Sequence, residues 1–225
     1  YTMVDTMVVG QVAGVEALAA LGAVDFLMWV VTGISTGLTQ GFSIQLSQYY
    51  GAKDFENLRK SLAHSYRLTA FIAAGVFILS QSFASLVLTG LHTPSNIIGM
   101  SLLYLRIIFC GIPATAAYNM FASALRAMGN SKTPLTAMII ASVLNVSLDI
   151  LFVAGFGWGV AGAAIATVIA QSFSAVYCFL ILRRIDIVHL TRADFMPASG
   201  MNARLMKLGI PVVFQNIIIG VGGLV

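Results

Sequence analysis

Among 225 residues, one stretch carries side chains that could do chemistry where chemistry is costly. Asp149 stands inside the apolar run PLTAMIIASVLNVSLDILFVAGF, with Asn145 one turn before it. A carboxylate at mid-membrane costs roughly 2.5–3.5 kcal/mol on insertion scales, so it implies a partner or an ion pathway. Met138, Ser142, Asn145 and Asp149 are spaced 4, 3 and 4, which makes one stripe along a helix. The other faces are Ile, Leu and Val. The helix therefore shows hydrocarbon outward and a polar strip to something inside.

Asp5 and Thr167 belong to other apolar segments. Asp5 lies about five residues before the outer end of its span, Asp149 about seven before, and Thr167 about eight after. At about 1.5 Å per residue all three reach a similar depth. Two carboxylates meeting in low dielectric resist joint ionisation, which makes a proton-binding switch. The same oxygens, with Asn145 and Thr167, also suit Na⁺, a hard cation. The alternative for this layer is hydrogen bonding that only glues helices together. Asn145 and Thr167 alone fit that alternative; two acids on different helices fit it poorly.

These groups must be held by membrane helices. The chain is 59% hydrophobic and 9% charged, with mean hydropathy +0.93. A soluble domain carries about 25% charged residues. The apolar runs reach about 20 residues, as helices need, and are not the short alternating segments of a barrel. Breakers divide the chain into a stub, Tyr1 to Gly10, and spans Val15–Tyr50, Asn57–Ser82 with a tail to Leu91, Ser95–Met128, Pro134–Phe156 and Gly159–Leu182. A charged linker, residues 183–203, reads as an interfacial amphipathic segment and leads to a seventh span at 204–225. The chain opens and ends within apolar helices, which suggests a piece of a longer protein.

Lys53, Arg59 and Lys60 follow the second span, Arg126 and Lys132 the fourth, and Arg183, Arg184, Arg192, Arg204 and Lys207 the sixth. The alternate loops have no Lys or Arg. This positive-inside pattern places the basic turns in the cytoplasm and makes the net charge of +4 topological, not a nucleic-acid signal. Cys110 and Cys178 lie in apolar helices, and His64, His92 and His189 have no ligand spacing, so no metal centre or cofactor is expected. No nucleophile–base pairing suggests an enzyme. Asp25 and Arg106 are further charges inside spans, and a structural pairing between them, or of Arg106 with a carbonyl, is expected. Gln40, Gln45 and Gln48 are expected to satisfy neighbouring helices. Pro113 should kink the fourth span. Gly33 and Gly37, and Gly162, Ala166 and Ala170, should allow close helix approach.

Six pieces in order resemble one family: VDTMVVG with ALAALG (4–22), SQYYGAKD (47–54), YLRIIFCGIP (104–113), ALRAMGNSKTP (124–134), NVSLD (145–149) and GVAGAAIAT (159–167). Together they are similar to the MATE (multidrug and toxic compound extrusion) transporters. The resemblance implies an all-α membrane protein: a six-helix bundle, one lobe of a twelve-helix, two-lobe transporter, plus the start of the seventh helix. It implies a multi-pass inner (plasma) membrane protein that exports amphipathic cations in exchange for H⁺ or Na⁺, its partners being those small molecules, the bilayer and a second lobe. The family's cation site maps onto Asp5, Asn145, Asp149 and Thr167, and its drug cavity onto Tyr1, Met138 and Ser142. Asp25 departs from the family pattern. Other readings are a lipid-linked oligosaccharide flippase of the same superfamily, whose cavity should be more cationic, or an inactive truncated interaction subunit.

Overall fold

Hydrocarbon offers no partner to a backbone N–H or C=O, so apolar runs of this length close their hydrogen bonds within helices. The computed structural model describes residues 6, 9–12, 14–196, 198 and 200–222, with the backbone alone at 26 and 220–222. Helices α1 (Val15–Gly51), α2 (Phe55–Gly90), α3 (Ile98–Cys110), α4 (Ile112–Ala127), α5 (Lys132–Asp149), α6 (Gly159–Leu182) and α7 (Met201–Gly222) follow in order. A π-helical stretch, Ile150–Gly155, continues α5. Residues 9–12 are helical ahead of α1, and no strand occurs among the described residues.

Among the described residues, three helices are long and apolar enough to cross a membrane: α2, α5 with its π stretch, and α6. Two bent pairs bring the number to five, α3 with α4 at 44° and the halves of α1, Val15–Asp25 and Leu27–Gly51, at 43°. The first bend is the kink expected at Pro113. Proline at the second position of α4 cannot donate a backbone hydrogen bond, and Gly111 turns instead onto the Ile108 carbonyl at 2.8 Å. Glycine is required there, because a Cβ on Gly111 would lie 2.8 Å from Val168 Cγ2 of α6.

Three expectations are corrected. The third span does not stop at Ser82; α2 runs unbroken to Gly90. Two polar side chains at that point are satisfied without a break, since Ser82 donates to the Ile78 carbonyl at 2.8 Å and Gln81 to the Arg106 carbonyl of α3 at 2.9 Å. The linker is not an amphipathic helix but two 3-10 turns, Asp186–Val188 and Arg192–Phe195. It is pinned to α2 by polar contacts, and α2 in turn holds the start of α7. Asp194 accepts from Thr191 N and Oγ1 at 2.7 and 2.8 Å and lies 3.8 Å from Arg59 Nε. Buried His64 places Nδ1 2.7 Å from Asn202 Oδ1 and Nε2 3.1 Å from the Met196 carbonyl. Last, the ion pairs among the described residues include neither Asp25 nor Arg106, so the expected pairing between them does not form.

The bundle has two cores. One joins Val9 to α1, α2, α3, α4, the π stretch and α6, and the other joins α1, α2, α4, α5, α6, the linker and α7 at the end that carries the basic turns. Helix α7 lies against α1. That seam is set by glycine. A Cβ on Gly37 would fall 2.7 Å from Val213 Cα, and one on Gly41 would collide with Gly209 Cα. The close-approach motif therefore runs through Gly37 and Gly41, whereas Gly33 has only Asn216 near it, at 3.9 Å. Gln45 behaves as expected, donating toward Met201 Sδ at 2.9 Å across the same seam.

Candidate cation site

Helix α5 carries Asn145 and Asp149 on one face, and both are completely buried. The buried stripe of this helix is Pro134, Ala137, Ala141, Asn145 and Asp149, spaced 3, 4, 4 and 4. Small residues at its inner end let α6 approach, and α6 answers with Gly162, Ala163, Ala166 and Ala170, all buried. At this closeness Asn145 Nδ2 donates to Thr167 Oγ1 at 3.4 Å, which joins α5 to α6. Asn145 Oδ1 is sealed from solvent and has no hydrogen-bond partner among the described residues. A buried amide oxygen left in that state is costly, on the order of 1–3 kcal/mol, unless something it can coordinate arrives.

The strip predicted on α5 changes character along its length. Met138 is 46% exposed, Ser142 half-buried, and Asn145 and Asp149 sealed. The four residues share a face, but only its outer half is closed by the packed core. Met138 and Ser142 thus sit at the open approach to the polar pair and not inside the buried stripe. Asp5 and Tyr1, the other two expected contributors, lie outside the described residues.

Above the pair, α5 passes into the π stretch, and Phe152, Phe156 and Trp158 gather with ring centroids 5.1–6.0 Å apart. The Trp158 N–H donates to the Phe152 carbonyl at 2.9 Å. Gly162 makes this turn possible, since a Cβ there would meet Phe152 Cβ at 3.0 Å. Aromatic rings at this level suit the membrane interface and cap the polar pair on the outer side.

Sequence reasoning missed a second chamber. A cavity of about 80 Å³ between α1, α3, α4 and α6 has a mainly apolar lining, Met28, Ile108, Phe109 and Val168 among it, into which Thr32, Ser35, Thr115, Thr167 and Gln171 bring polar groups. Gln171 Oε1 is buried without a hydrogen-bond partner among the described residues. Gln171 follows Thr167 by four residues, so extending the polar strip of α6 by one turn would have found it. Thr115 and Ser35 gave no such signal, because single hydroxyls in membrane helices commonly bond their own backbone. The groups assembled around Asn145 are carboxylate, amide and hydroxyl oxygens. Such a set fits a proton or a hard alkali cation and lacks the nitrogen and sulfur donors of a transition-metal site. No cluster of three or more His, Cys, Asp or Glu occurs among the described residues.

Comparison with known proteins agrees with this architecture. Residues 1–151 match the family model MatE. The chain is 32% identical over 219 residues to the "Probable multidrug resistance protein YpnP" of Bacillus subtilis (strain 168), which takes in 97% of this chain and 49% of that protein. Among solved structures, an inward-facing MATE family transporter of the MOP superfamily superposes with a TM-score of 0.90 at 23% identity, over 97% of this chain and 50% of that one. An outward-facing MATE family transporter gives 0.89 at 24% identity, over 96% and 48%. The chain spans about half the length of the relatives it matches.

Proposed function

We propose that this chain, which belongs to the MatE family, forms the first lobe of a multidrug exporter driven by an inward flow of H⁺ or Na⁺. It is a multi-pass membrane protein. Residues 1–182 make the lobe, 183–203 the cytoplasmic linker and 204–225 the first part of a second lobe. A half-length match to a relative named for multidrug resistance supports this division.

The observation that carries the reading is the Asn145–Thr167 contact, its Asn145 side fully buried, beside fully buried Asp149. In the outward-facing state a cation enters among Asp149, Asn145, Thr167 and Asp5. It neutralises the carboxylates and gives the Asn145 oxygen a partner. That removes the attraction for an amphipathic cationic drug held along Tyr1, Met138 and Ser142, and the drug leaves unchanged. The lobe superposes about equally on an inward-facing and an outward-facing transporter, which supports rocking of intact lobes over refolding within one. One-for-one exchange of a monovalent ion for a monovalent drug cation moves no net charge, so the ion's own concentration gradient is the drive, and each tenfold of it, about 1.4 kcal/mol, supports about a tenfold drug gradient.

The test is transport by the full-length protein in proteoliposomes, with ΔpH and Na⁺ gradients imposed separately. Drug accumulation should follow one of the two gradients and disappear in Asp149→Asn, while insertion and folding persist. An Asp149→Asn protein that pumps at the normal rate would remove the coupling role.

A further inference from the structure

An apolar recess in the described bundle lies beside α4, apart from the cavity that Thr167 and Gln171 enter. It is a groove of about 430 Å³ walled by α2 and α4, with Phe179 of α6 at one end. Ala70 and Ala74 of α2 and Ala117 of α4 form its floor and lip, and the Pro113 kink opens its deep end. Tyr66, Phe121 and Phe179 line its other end. They form an ordered row, Tyr66 edge-on to Phe121 at 5.5 Å and Phe121 to Phe179 at 5.2 Å. Small residues and a kink thus leave a slot between helices, and aromatic rings fix its width.

The shallow end of this slot is basic. The Arg183 guanidinium stacks over the Phe179 ring, 5.5 Å from its centroid. Arg126, at the end of α4, is exposed and acts electrostatically on Cys178, the neighbour of Phe179. It donates to Ser123 Oγ at 3.2 Å, which holds it at the end of the helix. Among the described residues neither arginine has a carboxylate partner within ion-pair distance. One cation stacked on the slot's Phe179, a second beside the neighbouring Cys178, and a dry slot next to them match one class of ligand in both parts.

We propose that this groove binds an anionic phospholipid of the cytoplasmic leaflet, with one acyl chain between α2 and α4 and its phosphate at Arg183 and Arg126. Basic pockets between helices on the cytoplasmic side recognise anionic headgroups through charge, while the slot orders a chain that bulk lipid leaves free. The proposal stands apart from the coupling site: no residue of the groove belongs to it.

The experiment uses the full-length protein in nanodiscs with diazirine-bearing acyl chains on phosphatidylglycerol or on phosphatidylcholine. After photolysis, adducts should concentrate on peptides covering 66–77 and 113–121. The anionic lipid should exceed the zwitterionic one by about fivefold for each guanidinium engaged. Replacing Arg126 and Arg183 together by Gln should equalise the two lipids while leaving adducts in place. Ala117→Phe, which fills the slot, should remove the adducts from both. Equal labelling by the two lipids in the unaltered protein overturns the proposal. So do adducts spread evenly over exposed positions such as Ile78, Leu79 and Leu86, and so does a slot that cross-links to the second lobe. If Ala117→Phe does not fold, the arginine variant alone decides.

Discussion

Replacing Gly41 by Ala tests the α1–α7 seam with the smallest possible change. The new Cβ would lie 2.6 Å from Gly209 N and 2.7 Å from the Leu208 carbonyl oxygen, besides its collision with Gly209 Cα. All three are backbone atoms, so no side chain can rotate away. Carbon atoms rest near 3.5–4.0 Å, and the helices must part by roughly 1 Å. Separation on that scale forfeits a quarter to a half of each contact's attraction along the seam. Overpacking of this kind costs about 1–3 kcal/mol. If the seam opens and closes during transport, the closed population falls by about 5–150-fold. The assay is a spin-label distance between Ser47→Cys and Lys207→Cys in full-length protein with Cys110 and Cys178 replaced by Ala. Both labelled positions are exposed. The short-distance population should shrink in Gly41→Ala and stay whole in Gly75→Ala, whose Cβ meets open space. An unchanged distance distribution in Gly41→Ala would refute the claim that backbone contact defines this seam.

Thr167→Val removes the acceptor of the Asn145 amide and should lower thermal stability of the detergent-solubilised protein by about 1–3 kcal/mol, since a buried donor is left unmade. A Gly162→Val variant should separate α6 from Phe152 and shift intrinsic Trp158 fluorescence, because the ring stacks 5.1 Å from Phe152. His64→Leu breaks the contacts to Asn202 and Met196, so limited proteolysis should cut the 183–200 linker faster than in the unaltered protein. Asp54 caps α2 and is held below its ordinary value of 3.8 by the side chain and backbone N–H of Asn57. Its folded pKa is depressed, so its contribution is complete at neutral pH and lost as pH falls below about 4. Asp54→Asn should flatten the acid limb of a stability–pH curve in that window, and an identical curve would dismiss the cap.

Composition and run length alone decided that the chain is a helical membrane bundle, because hydrocarbon admits no other use for apolar runs of this length. The Asn145–Asp149 spacing and the Thr167 level were equally legible, since helix period and depth are properties of one segment at a time. Pro113 announced its kink for the same reason: its missing N–H is local. Only the tertiary structure decided which residues on a common face are sealed. Met138 and Asp149 are neighbours in angle, yet one is exposed and the other buried, because closure depends on what packs opposite. The Asp25–Arg106 expectation failed on similar grounds, as two charges at compatible depth need not face each other. Gly41, Gly209 and Gln171 gained their roles from contacts across 100 residues or more, or from a cavity formed by four helices, and a single segment carries no record of either.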